Sequence, residues 1–220
     1  MPDTPYQALP PPLAAPQPPA ADQPVLPAHH AALPPPADAP WPLKALASAT
    51  WGDDELPDGR RRLWIRHQVL QGVTPAMLAW WFAHLEGDVL VDGRRINRYR
   101  LWHPYDHVHA SYARRRPDGT VGPGAAIRLR EVLGRDPRYL VNVVTEIEKL
   151  DEEGFIHNPV VHGLPGLARM EYQFHAVPGG TLYENCLIVG ARGRAGRLLR
   201  PLVRTFAFPQ DKGLAWVRHN

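Results

Sequence analysis

Apolar residues recur at helical spacing in the stretch that follows Gly72. Thr74 offers an N-cap side chain and Pro75 suits the first helical position, so the pattern predicts a helix that begins at Pro75 and ends before Gly87. We interpret its aromatic residues as core packing. The apolar positions on this stripe are Met77, Leu78, Trp81, Phe82 and Leu85.

From residue 97 onward the hydrophobic period changes from 3.6 to 2, which is typical of strands. A first strand places Tyr99 on its inner face, and a second covers residues 125–133, where Glu131 occupies an otherwise apolar face. Residues 138–150 alternate in the same way. The pattern predicts several strands that each have one wet side and one buried side.

A hairpin and a last helix complete the predicted elements. Residues 168–177 and 181–190 flank Pro178-Gly179-Gly180, and residues 213–220 have the pattern of a C-terminal helix. An antiparallel sheet with helices at both ends is an α+β arrangement. We expect a curved sheet around the C-terminal helix, with an internal cavity.

Composition divides the chain into three regions. Residues 1–40 contain 14 of the 26 prolines and few large apolar residues, so we expect a disordered, polyproline-like tail. Residues 41–96 are interpreted as a small N-terminal helical region, in which Trp41, Trp51 and Trp64 belong to a lid or subdomain. Residues 97–220 then form the main domain.

Several classes of protein are disfavoured by composition. The chain has no basic-then-apolar leader and no apolar run of about 18 residues, so we expect a cytoplasmic protein without a membrane partner. The single cysteine, Cys186, excludes a disulfide framework and is interpreted as a small core residue rather than a nucleophile. The net charge is only +3, and the arginine clusters lack interleaved aromatic residues, so we rank a nucleic-acid adaptor last.

Three titratable residues near element ends or inner faces suggest a metal site. A buried carboxylate such as Glu131 must form an ion pair, take up a proton or bind a cation. His107 and His219 could join it as nitrogen ligands, and such a nitrogen and oxygen set is typical of zinc. The alternatives are a salt bridge from Glu131 to an arginine and a hydrogen-bonded core role for His107.

The chain resembles the 2,4-diacetylphloroglucinol hydrolase family. The resemblance rests on residues 72–82, 99–107, 130–134 and 214–220, and its most specific part is Trp-His-Pro-Tyr-Asp-His at 102–107. It implies a START-like helix-grip domain with a small N-terminal region. It also implies a Zn²⁺ ion held by two histidines and two glutamates, and hydrolysis of the carbon–carbon bond that joins an acetyl group to a phenolic ring.

Carried over residue by residue, the resemblance assigns His107, Glu131 and His219 as zinc ligands. The family's fourth ligand, a glutamate four residues after His219, would fall beyond Asn220. We expect that the C-terminus is shortened, or that a water molecule or a carboxylate such as Asp106 completes the ligand set.

The resemblance also implies residues that contact the substrate. Tyr99 matches a substrate-contacting tyrosine, and a further histidine of the family corresponds to His162 or His175, of which we prefer His175. For His103 we favour a role in holding the turn at residues 106–107 over direct ligation.

The function implied is that of a zinc-dependent hydrolase that acts on a small aromatic acyl-phenol and releases acetate. Zinc would activate water and polarise the aryl ketone, while Tyr99 and His175 would steer the phenolic hydroxyls and supply a proton. The alternative is a non-catalytic START-like carrier of aromatic polyketides. The composition is compatible with a homodimer.

Overall fold

The computed structural model describes residues 33–36, 43–161, 163–203, 205 and 208–220. Apart from residues 33–36, the tail expected at 1–40 lies outside the described residues, as do Trp41 and His162.

Eleven strands and four α-helices are found in the described part of the chain. The strands are β1 (Thr50–Glu55), β2 (Arg61–Arg66), β3 (Leu70–Gln71), β4 (Asp88–Val91), β5 (Arg94–Asn97), β6 (His107–Arg114), β7 (Ala126–Val132), β8 (Leu140–Asp151), β9 (Gly154–Pro159), β10 (Ala168–Val177) and β11 (Gly180–Val189). The helices are α1 (Pro75–Ala83), α2 (Arg98–Trp102), α3 (Gly193–Leu202) and α4 (Gln210–His219).

Nine of the described strands form one antiparallel sheet. Its order is β1-β2-β11-β10-β9-β8-β7-β6, with the short β3 paired to β11, while β4 and β5 form a separate hairpin. A large antiparallel sheet with a few helices confirms the α+β class. No helix among the described residues has the length and apolarity needed to cross a bilayer.

The region at residues 41–96 differs from the small helical unit that we expected. Its first half forms β1 and β2, and β2 pairs with β11, so these strands extend the main sheet. Leu63 and Ile65 on β2 are buried at alternate positions, which is the period of a strand with one face in the core. Trp51 and Trp64 are therefore sheet residues, not parts of a separate lid.

The strands predicted from alternation are close to those observed. The stretches expected at 125–133 and 138–150 are β7 and β8, and the hairpin is β10 and β11 with a two-residue turn at Pro178 and Gly179. Between β8 and β10 lies β9, which we did not predict. It pairs with both neighbours and buries Phe155 and His157.

The segment around Tyr99 is a helix, not the strand that its alternation suggested. The side chain of Asn97 accepts a hydrogen bond from the Arg100 amide at 3.2 Å, which is an N-cap contact. The chain consequently turns into α2, and the next strand, β6, begins only at His107. Tyr99 is still buried, because it lies on the inner side of α2.

Two hydrophobic clusters form the core. In the first, Leu78 and Phe82 of α1 pack against sheet residues such as Ile127 and Phe155. The predicted cap of α1 is confirmed, since Thr74 accepts from the Met77 amide at 3.2 Å. In the second cluster, residues of α4 pack against β2, β10 and β11; its buried members include Leu63, Met170, Leu187, Trp216 and Val217.

Candidate metal centre

Two neighbouring strands bring the first pair of candidate ligands together. His107 begins β6 and lies directly opposite Glu131 on β7. The register then shifts, because Val108 is an extra residue between the pairs His107–Glu131 and His109–Arg130. Residues two apart on a regular strand share a face, and a bulge breaks that rule. His107 is therefore buried while His109 is exposed.

The last helix supplies the third candidate. His219 ends α4, and its Nε2 lies 3.8 Å from Glu131 Oε2, while His107 Nε2 lies 3.6 Å from Glu131 Oε1. One ligand atom from each of these three residues lies within 4.8 Å of the other two. The structure thus brings together the three residues that we expected to bind a metal.

Tyr99 contacts both residues of the strand pair. Its hydroxyl donates a hydrogen bond to Glu131 Oε1, and its backbone carbonyl accepts one from His107 Nδ1 at 2.8 Å. The two rings are stacked with centroids 3.9 Å apart. Because a carbonyl can only accept, His107 carries its proton on Nδ1 and presents the lone pair of Nε2 towards Glu131.

His103 and Asp106 lie behind His219. Asp106 Oδ2 is 3.0 Å from His219 Nδ1 and accepts a hydrogen bond from the Gly134 amide at 2.8 Å. His103 Nδ1 accepts from the Asp106 amide at 3.1 Å, and its ring stacks on that of His219 with centroids 4.5 Å apart. His103 thus holds the turn that leads into β6, in the place that we expected for it.

Burial is the largest influence on the pKa values of the two histidines and the tyrosine at this site. It lowers the pKa of His107 well below the ordinary value, with further contributions from His219 and His103, and it lowers the pKa of His103 to about 4. Burial together with the Glu131 carboxylate raises the pKa of Tyr99. Burial alone would raise the pKa of Asp106, but the hydrogen bonds from His219 and the Gly134 amide lower it.

The side chains of His107, Glu131 and His219 line a cavity of about 440 Å³ between the sheet and the helices. Most of its wall is apolar or aromatic. Further polar side chains in the wall include those of His67, His103, His157, Tyr172 and Tyr183.

The sequence did not single out two histidines that line this cavity. His157 is buried, its Nδ1 is 2.6 Å from the Thr145 hydroxyl, and burial lowers its pKa to about 3. His67 Nε2 is buried without a hydrogen-bond partner among the described residues, and burial lowers its pKa to about 4. Strand parity could have found His157, which lies two residues from Phe155 on the inner face of β9.

His175 does not line the cavity, contrary to our expectation. It is exposed on β10, where the buried Phe174 takes the inward position. Neighbouring residues on a strand face opposite sides of the sheet, so His175 points to solvent. His162, the other histidine that we considered for contact with the substrate, lies outside the described residues.

Cys186 is also removed from this chemistry. It is a free thiol on β11 that does not line the cavity, and burial raises its pKa to about 12. A thiol with a raised pKa is a poor nucleophile and metal ligand at neutral pH.

The donor set suits a divalent ion. Two imidazole nitrogens and a carboxylate oxygen are typical zinc ligands, and three protein ligands with a position left for water or substrate are typical of catalytic zinc. Tyr99 forms one hydrogen bond with His107 and one with Glu131. Hydrogen bonds of this kind orient metal ligands in proteins.

Part of the chain matches a known protein family. Residues 47–129 match the sequence model described as the DAPG hydrolase PhiG domain. The matched segment includes Tyr99 and His107 and ends before Glu131. This match confirms the resemblance that the motifs indicated. No curated protein matches the chain significantly.

Solved structures are similar to this chain at low sequence identity. A Rhodobacter sphaeroides protein has 13% identity and a TM-score of 0.44, and covers 78% of this chain and 92% of its own. CalU16 from Micromonospora echinospora has 16% identity and a TM-score of 0.40, with 78% and 98% covered. Ms6760 from Mycobacterium smegmatis has 12% identity and a TM-score of 0.44, with 78% and 94% covered.

Proposed function

Because residues 47–129 match the model of the DAPG hydrolase domain, we propose that the chain belongs to that hydrolase family and is a zinc-dependent enzyme. It hydrolyses the carbon–carbon bond between an acyl group and a phenolic ring, and releases acetate from an acetylated phloroglucinol. The observation that carries this proposal is the convergence of His107, Glu131 and His219 at the wall of an aromatic cavity.

His107, Glu131 and His219 would hold the ion. A zinc ion bound there supplies Lewis acidity to a ketone carbonyl and makes water more acidic. The chain's own contribution is to present both Nε2 atoms and the carboxylate from rigid elements, since the ligands lie on β6, β7 and α4.

The cavity suits a small aromatic molecule. A volume of about 440 Å³ lies within the roughly 300–1,000 Å³ that is usual for small-molecule sites. Phe82, Phe155 and Tyr172 offer ring faces for a phenolic ring, while the unpartnered Nε2 of His67 offers a hydrogen bond to a ring hydroxyl. Aromatic walls with a few polar groups are typical of sites for such ligands.

Tyr99 is the residue that we assign to the protonation step of the reaction. In the reaction the oxygen of water bonds to the acyl carbon, the acyl–ring bond breaks, and its electron pair stays on the ring carbon. That carbon then takes up a proton. The raised pKa of Tyr99 keeps its hydroxyl protonated, so Tyr99 can orient Glu131 and donate a hydrogen bond next to the reacting groups.

We further infer that the large sheet and α4 are the sheet and helix of a helix-grip fold. Trp216 and Val217 of α4 pack on β2 and β11 residues, and His219 at the end of the same helix faces β7. In this arrangement the docking of α4 positions the third ligand.

A carrier of aromatic polyketides is the second candidate. The size and the aromatic wall of the cavity favour it, because they suit storage of a ring system as well as its hydrolysis. The two candidates differ in whether the protein binds zinc and releases acetate.

The test is zinc quantification on the purified protein, followed by measurement of acetate release from mono- and diacetylphloroglucinol. We expect one zinc ion per chain and zinc-dependent release of acetate. His107→Ala should lose both, whereas His109→Ala, which changes an exposed histidine on the same strand, should retain both. A metal-free protein that binds acylphloroglucinols without releasing acetate would identify a carrier and overturn the hydrolase.

A further inference from the structure

We propose that Asp106 is a positioning residue that holds His219 in the tautomer with its proton on Nδ1, so that Nε2 presents a lone pair to the metal ion. This inference rests on the proposed function, because it assigns Nε2 of His219 to the ion. It makes Asp106 a partner of a ligand and not a ligand itself.

Two hydrogen bonds to one carboxylate oxygen hold Asp106 in position. Oδ2 accepts from the Gly134 amide at 2.8 Å and lies 3.0 Å from His219 Nδ1. The side chain is almost completely buried, with 5% exposed. Since a carboxylate acts as an acceptor, the nitrogen that faces it carries the proton.

The opposite nitrogen of His219 faces the metal ligands. Its Nε2 lies 3.8 Å from Glu131 Oε2, on the side of the ring away from Asp106. With the proton on Nδ1, that Nε2 has a free lone pair, which is the form of imidazole that binds metal. The hydrogen bond that His219 Nδ1 donates to Asp106 therefore selects the tautomer that the site requires.

His107 shows the same arrangement with a different acceptor. Its Nδ1 donates to the Tyr99 carbonyl at 2.8 Å, and its Nε2 faces Glu131 at 3.6 Å. Each histidine thus binds a protein acceptor through Nδ1 and turns Nε2 towards the same carboxylate. Such outer contacts raise the basicity of metal-binding imidazoles and restrict their rotation.

His103, Asp106 and His219 also lie close enough together to form a second ligand group. In the structure, however, His103 Nδ1 accepts from the Asp106 amide and Asp106 Oδ2 accepts from the Gly134 amide. These contacts already use the atoms that face one another. Hydrogen bonding rather than a second ion accounts for the closeness of the three groups, and the zinc stoichiometry tests this.

The first experiment measures the tautomer of His219 without any substitution at Asp106. Long-range ¹H–¹⁵N correlation spectra of metal-free, ¹⁵N-histidine-labelled protein distinguish the two ring nitrogens, and a His219→Gln sample assigns the signals. We expect a protonated Nδ1 and an unprotonated Nε2. A His219 with its proton on Nε2 would overturn the proposal.

The second experiment compares zinc affinity by competition with a chelator. Asp106→Asn keeps the size of the side chain and removes its charge, and we expect the affinity for zinc to fall about 10- to 100-fold. Asp118→Asn, which changes an exposed carboxylate in a surface turn, should leave the affinity unchanged. The visible spectrum of the Co²⁺-substituted protein should change in Asp106→Asn and remain the same in Asp118→Asn.

Three outcomes contradict the inference in different ways. Unchanged zinc affinity in a folded Asp106→Asn protein would show that Asp106 does not act through His219. Two zinc ions per wild-type chain, with one lost in Asp106→Asn, would make Asp106 a ligand of a second ion. A wild-type protein that binds no zinc would refute the proposed function itself. If Asp106→Asn does not fold, the tautomer measurement still decides.

Discussion

Tyr99 forms hydrogen bonds with two candidate ligands, one through its backbone and one through the end of its side chain. Its carbonyl accepts from His107, its hydroxyl donates to Glu131, and its ring stacks on the His107 imidazole. Removal of the hydroxyl leaves the carbonyl contact and the stacking in place. The role of the hydroxyl in turnover can therefore be separated from the support that the rest of the residue gives to the site.

We expect Tyr99→Phe to reduce acetate release about 100-fold, because the variant lacks the hydroxyl that would orient Glu131 and take part in the protonation step. Zinc content at saturating zinc should stay at the wild-type level. Steady-state assays with metal analysis of the same samples test this, and Tyr105→Phe is the matched control, since Tyr105 is half exposed. Unchanged turnover, or loss of zinc in Tyr99→Phe, would contradict the assignment.

His157 is a single residue that couples stability to pH. Burial lowers its pKa to about 3 in the folded protein, while the unfolded chain binds a proton near pH 6.5. The unfolded state therefore takes up the proton first on acidification. The neutral His157 contributes its full stability above about pH 6.5, and this contribution is lost as the pH falls towards 3.

We expect His157→Gln to make the free energy of unfolding less sensitive to pH between 6.5 and 4.5, by at most about 1.4 kcal/mol per pH unit. Glutamine can still hydrogen-bond the Thr145 hydroxyl but does not titrate. Urea unfolding of metal-free protein at several pH values gives the comparison, with His109→Gln as an exposed control. Equal pH dependence in wild type and His157→Gln would be evidence against this linkage.

Among the elements, the short helix α2 positions a residue that contacts two candidate ligands. It spans only Arg98–Trp102, yet it carries Tyr99, and it begins at the cap formed by Asn97. Asn97 also donates to the Gly87 carbonyl at 3.3 Å, which ties the helix to the segment after α1. An isolated helix of this length is not stable by itself, so cap and packing must hold it.

We expect Asn97→Ala to lower the free energy of unfolding by about 1 kcal/mol, because the Arg100 amide loses its acceptor. It should also weaken zinc binding, since Tyr99 moves with the helix. Asn97→Asp keeps an acceptor at the cap and should restore most of both properties. Chemical denaturation and chelator competition measure the two effects, and an Asp variant as weak as the Ala variant would argue against capping.

For the whole molecule, the candidate ligands join distant parts of the chain. His107 and Glu131 lie on neighbouring strands, whereas His219 comes from α4, whose Trp216 and Val217 belong to the second core cluster. An ion at this position would connect that cluster to the other edge of the sheet. Metal binding and folding stability should therefore be linked.

We expect removal of zinc to lower the thermal unfolding temperature of the protein. At a free zinc concentration a hundred times the Kd, the bound ion would stabilise the folded state by about 2.7 kcal/mol. Calorimetry with and without a chelator measures this, and hydrogen exchange should show reduced protection in α4 after chelation. The chelator should have no effect on His107→Ala, and an equal effect on both proteins would indicate that the ion acts elsewhere.

The sequence predicted those elements that depend on a clear pattern among neighbouring residues. Alternation located β7 and the inward position of Glu131, and Thr74 with Pro75 located the start of α1. Residue type and position suggested the grouping of the three candidate ligands, and the family resemblance was needed to support it, because their spacing alone does not determine which elements meet in space.

Other features depend on contacts that the pattern does not encode. Tyr99 and Leu101 alternate like strand residues, but the Asn97 cap outweighs that weak preference and forms α2. The pairing of β2 with β11 joins residues more than a hundred positions apart. The parity of His175 depends on the register of the β10–β11 hairpin, in which Phe174 faces inward.

The extra residue Val108 decides how many imidazoles the cavity receives from β6. If Val108 were paired in a regular ladder, His109 would share the inward side with His107, and a third histidine would compete for the ion. Removal of Val108 would instead make the two histidines neighbours on a regular strand, and they would keep the opposite sides that they have now. The strand should accordingly accept the loss of Val108 far better than the loss of a paired residue of β6, which would reverse the sides of the residues beside it.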